Sequence, residues 1–157
     1  MSPKAADAGQ RTVATNRRAR RDYEILERIE AGIALTGSEV KSLRGGRGSL
    51  SEAFARVRDD EVWLENMHIP RYEHGDVRRY DPLRPRKLLL HRGEIARMIG
   101  KTAERGLALV PMRVYFSHGL AKVELGLGRG KREYQKREAI AEREHRREIE
   151  RAMSRRR

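Results

Sequence analysis

Leu107-Ala108-Leu109-Val110-Pro111-Met112-Arg113-Val114-Tyr115-Phe116, then Ser117-His118-Gly119, then Leu120-Ala121-Lys122-Val123-Glu124-Leu125-Gly126-Leu127 is the stretch that decides the fold class. In its second half Ala121, Val123, Leu125 and Leu127 alternate with Lys122, Glu124 and Gly126, the period of two that buries one face of a strand. The short polar link makes the pair a hairpin. Upstream, Ala53–Arg58 and Glu61–Glu65 flank Asp59-Asp60 and read as a second hairpin. Further upstream Tyr23, Ile25, Ile29, Ala31, Ile33 and Leu35 alternate with mostly polar neighbours, Glu27 being the exception, and predict a half-buried strand over 22–35. Ile25, Leu26, Ile29 and Ile33 would also line one face of a helix, so both readings stay open there. Thr36 or Ser38 caps a short helix running through Arg44, which Gly45-Gly46-Arg47-Gly48 ends. Between the hairpins Arg92–Glu104 reads as a helix with Ile95, Met98 and Ile99 on one face. The Arg-, His-, Tyr- and Pro-rich stretch 70–85 is long for a loop in a compact domain and marks a functional segment. About five strands with two or three short helices predict a mainly β protein with peripheral helices: a small, partly open antiparallel barrel of oligonucleotide-binding (OB) type.

Charge narrows the class of partner. Charged residues are 38% of the 157, against about 25% in ordinary globular chains, and the net charge is +13. Residues 1–21 carry six bases against one acid and residues 129–157 twelve against six, whereas 22–128 is close to neutral. A self-supporting body flanked by two basic arms favours a polyanionic partner. The absence of cysteine excludes disulfides, thiolate metal sites and a cysteine nucleophile. No amino-terminal apolar run suggests a signal peptide and no apolar stretch is long enough for a bilayer, so the expectation is a cytoplasmic protein without a membrane partner. The domain organisation expected is a flexible basic arm over 1–13, an OB-like RNA-binding barrel over 14–129 and a basic tail over 130–157.

The tail is legible. From Lys131 to Met153 it has no glycine or proline and is rich in good helix formers. Its apolar residues, Tyr134, Ile140, Ile149 and Met153, form too thin a stripe to hold a helix on a core. The plain reading is a solvated charged tail; the sharper one is a segment disordered alone that becomes helical along a phosphate-rich groove.

Enzymatic motifs fail on context. Gly100-Lys101-Thr102 has the end of a phosphate-binding loop, but the position that needs the first glycine is Ile95 and the stretch reads as helix. Gly45-Gly46-Arg47-Gly48 fits a G-x-x-G clamp only as two glycines, for which turns are the simpler account. His68, His74, His91, His118 and His145 show no zinc spacing. No metal, cofactor or catalytic residue is expected. What stands out is basic and aromatic: Asn16-Arg17-Arg18-Ala19-Arg20-Arg21, where Asn16 can cap the turn, and Arg84, Arg86 and Lys87 after a loop holding Tyr72 and Tyr80. Arginine grips phosphate through paired donors and exposed tyrosine stacks on unpaired bases. With aromatics at 5%, structured RNA read through shape and backbone fits better than a broad stacking platform.

Five strings carry a resemblance to a known family. They are Asn16-Arg17-Arg18-Ala19-Arg20, Glu30-Ala31-Gly32, Gly37-Ser38-Glu39-Val40-Lys41-Ser42-Leu43-Arg44, Asp81-Pro82-Leu83-Arg84-Pro85-Arg86-Lys87-Leu88-Leu89-Leu90-His91 and Gly130-Lys131-Arg132-Glu133-Tyr134-Gln135-Lys136-Arg137. In this order, over roughly residues 14–153, the chain resembles the SsrA-binding (small protein B) family of bacterial trans-translation. The resemblance implies a non-enzymatic, monomeric adaptor that binds the tRNA-like domain of transfer-messenger RNA (tmRNA, or SsrA RNA) and delivers it to stalled ribosomes for rescue and peptide tagging. It implies elongation factor Tu with GTP as an indirect partner. It also implies that the tail lies helical in the empty mRNA channel beyond the small-subunit decoding centre.

By the same likeness, Asn16, Glu30, Leu89 and Lys122 match RNA-binding positions, and Arg17, Arg18, Lys41, Arg44, Arg84, Arg86 and Lys87 complete the RNA-binding set. Lys131, Arg132, Tyr134, Lys136, Arg137, Ala152 and Met153 match the ribosome-engaging tail. Glu30 cannot contact phosphate, so it would bond a base or sugar or orient an arginine. For Leu89, core packing is expected ahead of direct contact. Three departures stand out: Gln135 where the family has aspartate, Arg21 where it has histidine, and Arg79-Tyr80 where it has Asn-His. A structural ribosomal protein with arms threaded through rRNA, and an RNA-processing enzyme, are the alternatives.

Overall fold

The computed structural model describes residues 9–73 and 80–155, with the side chains of 104, 105 and 132–139 outside that description. Seven strands, β1 (Gln10–Thr15), β2 (Tyr23–Ile33), β3 (Phe54–Arg58), β4 (Glu61–Glu65), β5 (Arg86–Leu89), β6 (Ala108–Ser117) and β7 (Leu120–Gly130), form one antiparallel sheet in the order β1-β6-β7-β2-β5-β4-β3. Four helices lie at its periphery: α1 (Ala19–Asp22), α2 (Gly37–Arg44), α3 (Arg92–Arg105) and α4 (Lys131–Arg155). β3 comes back against β6, but no ladder joins the edge strands β1 and β3, so the sheet curls without closing.

The mainly β class with peripheral helices is as expected; the count of five strands is not. β1 escapes notice because only Ala14 among its six residues is buried. It pairs with β6 from Gln10↔Ser117 to Thr15↔Arg113, so residues 10–13 belong to the sheet and not to a flexible arm. β5 escapes because it is four residues long and begins with a fully buried arginine that breaks the apolar alternation.

Both expected hairpins form. Arg58↔Glu61 and Ser117↔Leu120 close two-residue turns whose central residues, Asp59-Asp60 and His118-Gly119, all have positive φ, the geometry that matches strand twist. The open question at 22–35 resolves as a strand. The chain makes one helical turn at α1 and then pairs with β7 from Tyr23↔Gly130 to Gly32↔Lys122, with Leu26 bulged out between Ile25 and Glu27. Glu27, the exception to the alternation, is held by α3: Arg97 Nη1 lies 2.5 Å and Lys101 Nζ 2.8 Å from its carboxylate. α2 starts at a capping box, the Thr36 hydroxyl accepting from the Glu39 amide at 3.3 Å and Glu39 accepting from the Thr36 amide at 2.8 Å.

The two faces of β7 organise the molecule. Val123, Leu125 and Leu127 point into the main core with Ile29, Ala31, Ile33, Leu64 and Leu88, closed by Leu43 of α2 and by Ile95 and Met98 of α3. Lys122, Glu124, Gly126 and Gly128 line the opposite face. There Ala19, Val110 and Met112 make a second apolar cluster with Tyr23 and Ile25. The two glycines permit it: a Cβ at Gly128 would stand 3.0 Å from Ile25 Cδ1, and one at Gly126 3.1 Å from Ile25 and Met112. Ala19, 1% exposed, plugs α1 into this cluster and leaves the arginines around it in solvent.

Candidate nucleic-acid interface

The outer face of the sheet divides into a basic turn seated on the second cluster and a polar groove beside it. Asn16 builds the turn. Its side-chain amide donates to the Pro111 carbonyl at 2.9 Å, its Oδ1 accepts from the Arg18 amide at 3.2 Å, and its own backbone amide donates to Met112 at 2.8 Å. The expected capping role is therefore present, and the half-buried side chain spends its polar atoms on the protein. Arg17, Arg18, Arg20 and Arg21 are exposed around it, countered among the described residues only by Glu52 at 3.6 Å from Arg18 and Asp22 at 3.4 Å from Arg21. Exposed pairs of this kind hold little energy and yield readily to a phosphate.

The groove, about 470 Å³ in volume, is lined by Glu30 and Gly32 of β2, Lys87–Leu89 of β5, Leu90, His91 and Glu94 at the start of α3, and Lys122 of β7. Three residues far apart in sequence, Glu30, Leu89 and Lys122, thus share one surface. The ladders explain it: Leu89 pairs with Gly32, and Gly32 pairs with Lys122, so the glycine is the floor between them. Leu89 is 53% exposed, which corrects the expectation of core packing. In β5 Arg86 and Leu88 take the inward positions and Leu89 falls on the outer face.

Glu30 and Glu124 stand directly opposite each other on β2 and β7, an arrangement that costs stability when both charges are bare. Glu124 is neutralised by Arg28 at 3.2 Å and Arg113 at 3.5 Å. Glu30 accepts only the hydroxyl of Tyr115, and among the described residues no cation reaches it. Lys122 likewise has no acid partner among them. The groove therefore offers an apolar platform, an acceptor-only carboxylate and a donor-only ammonium, the three contacts that an unstacked nucleotide's base face, its N–H or 2′-hydroxyl donors and its phosphate require.

The cluster read from Arg84, Arg86 and Lys87 does not hold together as an interface. Arg86 is 0% exposed: its Nε donates to Glu39 at 2.7 Å, and its remaining nitrogens to the carbonyls of Met67 and of Pro82, the latter at 3.2 Å. Arg84 donates to Glu39 at 2.6 Å and to Ala34 at 3.3 Å. Glu39 itself is 1% exposed. Burial alone would raise its pKa, but hydrogen bonds from Arg84, the Thr36 amide and Arg86 outweigh that and hold it below the ordinary carboxylate range. These two arginines brace the fold because an interior carboxylate needs them, and sequence spacing cannot distinguish a brace from a phosphate grip. Only Lys87, half-buried and 3.4 Å from Glu61, reaches the groove.

Tyr80 is a brace as well. Its hydroxyl donates to the Ile69 carbonyl at 2.5 Å, and burial first, then the Glu39 charge, push its pKa up. His74 and Arg79 lie outside the described residues. Tyr72 is half-buried under Lys41, whose Nζ sits 5.6 Å from the ring centre. Lys41 and Arg44 are exposed in the last turn of α2, Arg44 over the Phe116 ring at 5.9 Å and its carbonyl held by Arg11.

α4 leaves the body at the basic turn, where Lys131 Nζ donates to the Arg20 carbonyl at 2.6 Å. Every described side chain from Ile140 to Arg155 is exposed, Ala152 and Met153 included, the latter at 66%. The tail forms a continuous helix, for which strong propensity and the Glu142–Arg146 pair at 3.0 Å account. The side chains of Arg132, Tyr134, Lys136 and Arg137 lie outside the described residues. Sequence reasoning missed Tyr115 and Arg113, whose polar ends meet Glu30 and Glu124 across strands; a tyrosine and an arginine on the polar face of a strand carry no signal of that pairing.

The profile of the SmpB protein family matches residues 13–155. The chain is 57% identical to the SsrA-binding protein of Acidothermus cellulolyticus, over 97% of this chain and 96% of that one. It is 58% identical to the SsrA-binding protein of Thermobifida fusca, over 98% of each. A solved chain described under "tmRNA-SmpB: a journey to the center of the bacterial ribosome" superposes with a TM-score of 0.61 at 57% identity, covering 74% of this chain and 82% of that one.

Proposed function

The chain belongs to the SmpB protein family, and from that premise we infer that it is an adaptor of trans-translation that binds tmRNA and takes it to stalled ribosomes. The observation that carries the reading at the residue level is the groove, where Glu30, Leu89 and Lys122 converge and where, among the described residues, the carboxylate and the ammonium have no ion-pair partner. In our reading Leu89 meets a base or sugar face, Glu30 accepts from a base N–H or a ribose hydroxyl, and Lys122 and Lys87 meet phosphate. Arg17, Arg18, Arg20 and Arg21 grip the neighbouring backbone, with Lys41 and Arg44 adding a further basic surface. Asn16 contributes by shaping the turn; Arg86 is left to the interior and the half-buried Arg84 to bracing Glu39.

We assign the RNA-binding work to the body and ribosome engagement to α4, whose exposed residues 140–155 are available to a phosphate-lined channel near the decoding centre. The tRNA-like domain as the RNA target, elongation factor Tu with GTP as an indirect partner, a monomeric state, a cytoplasmic setting and the absence of catalysis follow from the same reading. A gel-shift titration against tmRNA, its isolated tRNA-like domain and an ordinary tRNA tests it. The expected result is equal affinity for the first two and weaker binding of the third; equal affinity for all three would reduce the chain to a general RNA binder.

A further inference from the structure

We propose that Tyr115 is the positioning residue of the groove: its hydroxyl, reaching from β6 across β7, fixes the Glu30 carboxylate in the orientation that accepts a hydrogen bond from RNA. The inference rests on the reading of Glu30 as an RNA contact. Tyr115 pairs with Lys122 on β7, and Lys122 with Gly32 on β2, so the ring lies along the row that forms the groove floor, and its hydroxyl reaches diagonally to Glu30, two residues from Gly32. The ring is 2% exposed and lies beneath the Arg113 guanidinium, 4.1 Å from its centre.

Arg113 is in turn fixed by Glu124 at 3.5 Å, Thr12 at 3.1 Å and Gln10 at 3.0 Å. The edge strand β1 thus holds Arg113, Arg113 covers Tyr115, and Tyr115 holds Glu30. The groups facing Glu30 from the packed strands are the Tyr115 hydroxyl, the neutralised Glu124 and the Lys122 ammonium. A tyrosine can do here what a cation cannot. It donates one hydrogen bond and leaves the full negative charge and the remaining lone pairs of Glu30 for the ligand. Burial and the neighbouring carboxylate push the phenol's pKa up, so it remains a donor throughout the physiological range. An exposed glutamate without this contact would sample several rotamers and lose that freedom only on binding.

The test is a double-mutant cycle on the full-length protein with Tyr115→Phe and Glu30→Ala, read as affinity for the isolated tRNA-like domain over a salt series. Phenylalanine retains the ring, its burial and the Arg113 contact, and removes only the hydroxyl. The expected result is about a tenfold loss for Tyr115→Phe, an unchanged salt slope, since no phosphate contact is lost, and less than about a twofold effect once Glu30 is alanine. Thermal melting of Tyr115→Phe is expected to match the parent, which separates positioning from folding. Glu30→Ala weakening binding while Tyr115→Phe does not, or the two effects adding, would overturn the positioning role and leave the groove standing. Glu30→Ala without effect would overturn both.

Discussion

Glu39 is a buried charge on which the fold depends. It is interior, it closes the capping box of α2, and it receives Arg84 and Arg86. Removing one partner of such a group leaves the other charged and dry, which costs about 3–5 kcal/mol. Arg86→Ala is therefore expected to lower the urea midpoint severely, whereas a loss of RNA affinity by the folded protein without destabilisation would restore Arg86 to the interface. The pH dependence has a defined sign. The Glu39 pKa is lower folded than unfolded, so its contribution is present above the ordinary carboxylate pKa and is lost as pH falls through the folded value. Glu27, lowered mainly by its hydrogen bond from Lys101 with burial opposing and Arg97 assisting, acts in the same window. Denaturation midpoints should be level near neutrality and drop on acidification below about pH 4.5; midpoints that rise there would refute the assignment. Gly32 gives a contrasting prediction. A Cβ there would stand 3.2 Å from Leu89 Cβ, and because Leu89 is the last residue of β5 its backbone can give by the few tenths of an ångström required. Gly32→Ala should thus leave stability within about 1 kcal/mol but fill the groove floor and weaken RNA binding, a split that urea titration and gel shift together resolve.

Among the elements, α4 has the least holding it. Its root is pinned by Lys131 to the basic turn, and the described residues beyond share no packing with the body. Helices without a buried face depend on propensity and local pairs, and remain marginal in water. Ending the chain before Lys131 should leave binding to the tRNA-like domain within about twofold and abolish tagging on stalled ribosomes in a reconstituted translation assay; loss of RNA binding on truncation would end the division of labour proposed here. What could be read in advance also varies by element. β7 and the hairpin turns were legible because period-two patterning and turn geometry are local. The bulge at Leu26 and the inward Arg86 were not, because both are set by partners distant in sequence, β7 for one and Glu39 for the other. The groove could be anticipated only as separate residues; its assembly depends on the register Leu89–Gly32–Lys122, which no local pattern contains.

For the molecule as a whole, the placement of charge decides how it holds RNA. The basic turn sits on the second apolar cluster, and the groove lies farther along the same outer face, where the even positions of β7 change from glycine to Glu124 and Lys122. On the proposed reading, sequence-independent attraction comes from the turn, while the groove adds contacts that only a presented nucleotide can satisfy. The two parts should separate in a salt titration. If Lys122 meets a phosphate as proposed, Lys122→Ala should lower the slope of log affinity against log salt by about one unit. Arg17→Ala with Arg18→Ala should lower it by about two and weaken tmRNA and ordinary tRNA alike. Leu89→Ala should leave the slope unchanged and weaken tmRNA selectively, because an apolar contact releases no counterion. Should Leu89→Ala weaken both RNAs equally, or Lys122→Ala leave the slope intact, the groove would be a surface beside the RNA and not the place where the RNA is read.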